Sequence, residues 1–209
     1  MLLSVDHLVY AAPSLDAGVT AMTERLGVTA AYGGKHTGIG THNALLSLGN
    51  NIYLEIIAPD PDQPPPGEPL PFGLGDLHEP GLAAWALAVS DIEGRAEAAR
   101  KAGYDPGPVI AIKRALPDGG ELSWRLTIRR PIAGDGLVPF LIEWDAGGPH
   151  PSASSPAGCR LTDLTAEHPH PDEVSHMLSA LGADLPLAEA PRPALIATIE
   201  GPHGTVVLT

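Results

Sequence analysis

Cysteine is almost absent from this sequence: Cys159 is the one thiol among 209 residues. An internal disulfide is therefore excluded, and no CxxC pair exists for zinc or redox chemistry. Basic residues are also scarce, with 12 Lys and Arg against 25 Asp and Glu and a formal net charge of −13. Nucleic-acid binders cover phosphates with Lys and Arg, and a field of this sign repels a polyanion. No nucleic acid is expected as a partner. No apolar run approaches the roughly 18 residues that a membrane-crossing helix needs, so no membrane is expected either. The first residues show neither a basic patch nor a long apolar stretch, unlike a secretory signal. Together these absences predict a cytoplasmic, acidic protein of a reducing compartment. Aromatic residues are few, at 4%, while apolar residues make up 44%, which predicts an aliphatic core.

Gly and Pro are plentiful, at 24 and 23. They cluster between periodic segments, as loops do, instead of spreading as they would in a disordered chain. Three segments share one order of apolar strand, helix and terminal glycine. In the first, Leu3 to Tyr10 alternates as a strand, and Ser14 caps a helix with Leu15, Val19, Met22 and Leu26 on its apolar face. Gly27 ends it. In the second, Leu82 to Val89 is the strand, and Ser90 with Glu93 forms a capping box. Ile92, Ala96 and Ala99 give the helix face, and Gly103 is the stop. The third runs from Cys159 to Leu164, then through a helix carrying Val174, Met177, Leu178 and Leu181 to Gly182.

The continuation repeats as well. Asn43 to Leu48 and Asn51 to Ile57 follow the first helix, joined by a turn at Gly49 and Asn50. Val109 to Leu116, Glu121 to Ile128 and Phe140 to Trp144 follow the second, with a turn at Pro117 to Gly120. The expectation is an α+β fold. Two βαβββ modules, 1–58 and 82–146, form a cupped mixed sheet beside a partial third βαββ module, 159–209. Linkers fall at 59–81 and 147–158.

Side-chain parity along strands selects candidate site residues. Ile52, Leu54 and Ile56 share one face, leaving Tyr53, Glu55 and Ile57 on the other. Phe140, Ile142 and Trp144 likewise stand opposite Leu141 and Glu143. If the aliphatic faces pack beneath the helices, Glu55 and Glu143 both turn to the concave side, each in the last strand of its module. His7 sits in the first strand. A carboxylate among apolar strand residues needs a partner, a proton or a metal.

The chain resembles the vicinal oxygen chelate superfamily, and within it the glyoxalase-like domain branch. The resemblance rests on Asp6-His7-Leu8-Val9, Gly40-Thr41-His42-Asn43, Tyr53-Leu54-Glu55, Trp124-Arg125-Leu126 and Pro139 to Trp144. His150-Pro151 and the Pro156 to Leu161 segment add to it. It implies a divalent metal ion (Zn, Ni, Fe or Mn) in the cavity, held by His7, Glu55 and Glu143. The fourth position falls at Ala84 or Trp85, neither of which binds metal. The implied activity is a metal-assisted lyase or isomerase acting on a small oxygenated metabolite, with Glu143 and Glu55 as catalytic carboxylates. Arg125, Trp124 and His42 are the candidate substrate-binding residues. Arg125 has a second reading as an ion-pair partner of Glu143. The alternative function, of the bleomycin-resistance type, is a metal-free protein that binds or sequesters a small molecule. A homodimer is compatible with either.

Overall fold

The computed structural model describes residues 5–64, 66–115, 121–145 and 148–209. The first module comprises β1 (Val5–Ala11), α1 (Leu15–Leu26), β2 (Ala31–His36), β3 (Thr41–Ser47) and β4 (Tyr53–Pro59). The second comprises β5 (Gly81–Ala88), α2 (Ile92–Lys101), β6 (Val109–Ala115), β7 (Glu121–Thr127) and β8 (Phe140–Trp144). One helical turn, α3 (Pro151–Ser154), leads to β9 (Arg160–His168), α4 (Pro171–Leu181), β10 (Leu187–Glu189), β11 (Ala194–Gly201) and β12 (Gly204–Leu208).

The two modules form one eight-stranded sheet in the order β2-β3-β4-β1-β5-β8-β7-β6. Each half reads the same outward from the antiparallel β1–β5 seam, with the first and last strands of a module side by side and parallel. The right-handed twist of so many strands curls the sheet until its edge strands β2 and β6 touch. This is the expected α+β architecture of two βαβββ modules making a cupped mixed sheet.

Both module helices pack on the convex face. On α1, Leu15, Gly18, Met22 and Leu26 are buried. Gly18 is required there: a Cβ would stand 2.8 Å from Ile56 Cγ2 and 2.9 Å from Ala12 Cβ. Ser14 occupies the N-cap position of α1, but its side chain makes no capping hydrogen bond. Gly27 closes the helix in the left-handed conformation, φ 81°. On α2 the buried residues are Ile92, Ala96 and Ala99, as their spacing predicts. Its cap is Asp91, whose carboxylate accepts from the Gly94 N–H, and not the Ser90–Glu93 box.

The third segment forms a separate four-stranded sheet, β10-β9-β11-β12. Here β9 pairs in parallel with β10, the strand directly after α4, so the pairing differs from that of the full modules. The short β10 has no counterpart in the sequence pattern. Leu161, Leu164, Ala197 and Ile199 join the core beneath α1 and α2, so the segment covers the helical layer from outside. Cys159 is buried there, and burial pushes its thiol pKa up. The turn expected at 117–120 and the first two residues of the strand expected from position 3 lie outside the described residues. Among the described residues, no helix is long and apolar enough to cross a membrane.

Candidate functional site

The concave face encloses a cavity of about 950 Å³, walled mostly by apolar side chains. The 59–81 segment contributes to this wall through Leu70, Phe72 and Leu77, so it shapes the cavity besides joining modules. Phe72 holds a left-handed backbone, φ 57°, and its ring sits 6.2 Å from that of Phe140. That conformation costs a bulky residue on the order of 1–3 kcal/mol.

The buried polar groups gather at one pole, while Glu68, Glu79, Arg129, Arg130 and Asp135 line the cavity from exposed positions, and strand parity explains the buried set. On β4, Tyr53 and Glu55 face the cavity while Leu54 and Ile56 are fully buried in the helical core. On β3, Thr41 and Asn43 face inward. Glu55 Oε1 accepts a hydrogen bond from Asn43 Nδ2 at 2.5 Å. The second amide proton of Asn43 points to His36 Nε2, 3.3 Å away, which makes that nitrogen the acceptor. His36 Nδ1–H then donates to Thr41 Oγ1 at 2.9 Å. His7 Nε2 stands 3.7 Å from Glu55 Oε2, and His36 Nε2 stands 3.8 Å from Glu55 Oε1. A buried carboxylate thus lies between two imidazoles.

His7 is held from behind. A register shift between Val5 and His7 in the β1–β5 pairing lets Asp6 reach groups on the His7 side. Asp6 Oδ1 lies 2.7 Å from His7 Nδ1, while Asp6 Oδ2 accepts from Trp144 Nε1 at 2.9 Å and meets His150 Nε2 at 3.1 Å. Tyr53 stacks on the His7 ring with centroids 4.6 Å apart. Burial pushes the Asp6 carboxyl pKa up, but hydrogen bonds from His150 and His7 and their charges outweigh it. The net position is well below the usual carboxylate range. Asp6 engages the Nδ1 side of the His7 ring, which leaves Nε2 turned toward Glu55 and the cavity.

The profile of the family described as "Glyoxalase-like domain" matches residues 5–182. The chain belongs to that family. As a glyoxalase-like protein it also carries the double βαβββ architecture of the vicinal oxygen chelate superfamily. A hypothetical protein from Staphylococcus aureus has a similar fold, with a TM-score of 0.64 at 16% identity, over 97% of this chain and 83% of that one. Methylmalonyl-CoA epimerase from Mycobacterium tuberculosis superposes at a TM-score of 0.43 and 18% identity, over 70% of this chain and 90% of that one. The Streptomyces coelicolor methylmalonyl-CoA epimerase, in complex with 2-nitronate-propionyl-CoA, gives 0.45 at 20% identity, over 70% and 100%. No curated protein matches the sequence.

In this glyoxalase-like chain the expected site residues divide. His7, Glu55 and Trp124 line the cavity. Glu143 does not: it stands on the convex face, where Oε2 accepts from the Ile92 N–H at 3.1 Å and from Arg125 at 2.6 Å. It therefore caps α2. Arg125 is its ion-pair partner and reaches Glu93 at 4.0 Å, so Arg125 also lies outside the cavity. His42 sits on the outer face of β3, edge-on to Tyr32 at 6.3 Å. One position along, Asn43 takes the inward place.

The three-member donor set expected for a divalent metal ion does not assemble, because its Glu143 faces the other way. Among the described residues, no group of three or more His, Cys, Asp or Glu is placed to hold a metal ion. Ala84, at the expected fourth position, belongs to an apolar cluster beside the cavity, and Trp85 is buried with its Nε1–H on the Leu137 carbonyl at 2.8 Å. The donors present do not fit the expected metal site.

Asp6, His36, Asn43 and Trp144 were missed by the sequence as site residues, whereas His150, beside Pro151 in the second linker, could be read as a residue folding over the cavity mouth. Asp6 was detectable as the neighbour of His7, and Asn43 as the last residue of the Gly40–Asn43 motif. His36 gave no signal, since Ala31–His36 lacks apolar alternation.

Proposed function

We propose that this glyoxalase-like protein is an enzyme of the lyase or isomerase type that moves a proton at a carbon next to a carbonyl. One observation carries it: Glu55 is buried on the cavity floor between two imidazole Nε2 atoms, one of them positioned by its own carboxylate. In this reading Glu55 takes the proton from the carbon, and the electron pair moves onto the carbonyl oxygen. Glu55 then returns that proton to the former carbonyl carbon, while His7 Nε2 carries the proton of the neighbouring hydroxyl to the new enolate oxygen. Asn43 holds the Glu55 carboxylate in place through its amide.

The alternative is a protein that binds a small molecule without turnover. The largely apolar wall and the outward placement of Glu143 favour it. Proton exchange separates the two. Nuclear magnetic resonance in D₂O would follow loss of α-protons from a panel of α-hydroxyketones and 2-oxo acids. Exchange that falls by about 10²–10⁴-fold in Glu55→Gln supports the enzyme. Ligand binding with no exchange in the wild type leaves the binding protein.

A further inference from the structure

The two halves of the cavity are related by the strand registers, and comparing equivalent positions exposes an asymmetry. His7 faces Ala86 across the β1–β5 seam. In the first half His7 pairs with Tyr53, and in the second Ala86 pairs with Phe140. Two residues further along these last strands stand Glu55 and Ile142. Two more give Ile57 and Trp144, which pair with Asn43 and Trp124. Ala86, Ile142 and Trp124 therefore hold the places of His7, Glu55 and Asn43. At these three positions a polar group of the reacting half has an apolar counterpart in the other. Trp124, Trp144, Ile112, Leu122 and Phe140 cluster around them, and Trp124 and Trp144 lie 5.3 Å apart.

A cavity of about 950 Å³ is at the upper end of the usual range for small-molecule sites. A three-carbon metabolite would leave the apolar half empty. Of the two buried carboxylates at the polar pole, Glu55 lines the cavity while Asp6 stands behind His7, so an anionic head group placed at Glu55 would meet like charge there. An uncharged carbonyl or hydroxyl head meets hydrogen-bonding groups instead.

We propose that the substrate is a neutral ketone or α-hydroxyketone with a sizeable apolar tail or ring, its oxygen end at Glu55 and its apolar body against Trp124, Phe140 and Ile142. This rests on taking the cavity as the reacting site and names the class of molecule it would accept.

The test is a chain-length series of 1-hydroxy-2-ketones, from hydroxyacetone to 1-hydroxy-2-decanone. Binding would be read by calorimetry, with 2-oxo acids of the same lengths alongside. Kd is expected to fall about fourfold for each added CH₂, the burial value of one methylene, and each acid should bind at least about tenfold more weakly than its ketone. Ile142→Gln should flatten the series. Phe140→Ala, at a less buried position, should reduce the slope even if the first variant does not fold. A flat series, tighter binding of the acids, or no binding by any member overturns the proposal. The chemistry is scored separately: a steep series without proton exchange keeps this ligand class and rejects the enzyme. Exchange on hydroxyacetone with a flat series does the reverse.

Discussion

Asp6 and His7 are neighbours in sequence and in hydrogen bonding, with Oδ1 2.7 Å from Nδ1 inside the β1 strand. The contact decides which His7 nitrogen faces Glu55. It also gives a carboxylate that is 2% exposed the partners without which its burial would be prohibitive.

Replacing that carboxylate with an amide keeps the shape and removes the charge. Asp6→Asn should lower proton-exchange activity by about 10²–10⁴-fold, as expected when a catalytic imidazole loses its orienting group. The wild-type fold should persist by circular dichroism. An unchanged rate would show that His7 takes no part in the transfer.

The same group sets an acid limit on stability. Its folded pKa lies below the ordinary 3.8 because the hydrogen bonds from His150 and His7 overcome burial. The stability it contributes is therefore fully present above the unfolded value and is lost as pH falls below it toward the folded value. Denaturant titrations between pH 6 and about pH 2.5 should show a declining limb below about pH 4. Asp6→Asn should make that limb shallower.

Glu143 should behave as a structural residue. Glu143→Ala removes the cap on the Ile92 N–H and the contact with Arg125, which is 39% exposed and so adds little. The expected loss is about 1–2 kcal/mol in denaturant unfolding, of the size of a lost helix cap. Proton exchange should stay at the wild-type rate. Lost exchange in a folded Glu143→Ala protein would return that residue to the site.

Metal content offers an independent check on the donor geometry. Elemental analysis of untagged protein prepared without chelator is expected to find well under one equivalent of Zn, Ni, Fe or Mn. A stoichiometric ion that disappears in His7→Ala would instead mean that ligands beyond His7 and Glu55 complete the site.

Most of the scaffold could be read from the chain. Leu15, Met22 and Leu26 mark the buried face of α1 because a helix repeats every 3.6 residues, and Gly27 ends it because only glycine takes the left-handed turn readily. Period-two alternation also turned Glu55 to the cavity, since its neighbours Leu54 and Ile56 suit only the core. In β8 the same alternation separated Glu143 from Phe140, Ile142 and Trp144 without saying which set looks inward. Both faces carry large apolar side chains, and the cavity is itself apolar there. Packing against α2 and the register with β5 made the choice. Position 36 was beyond sequence reasoning for a different reason. Its strand, Ala31–His36, is fixed by pairing with β3 and not by its own pattern. Local periodicity thus determined the modules, the helices and one carboxylate. Only the tertiary structure decided which residues meet around Glu55, because that depends on how strands distant in the chain align and on which face the curled sheet encloses.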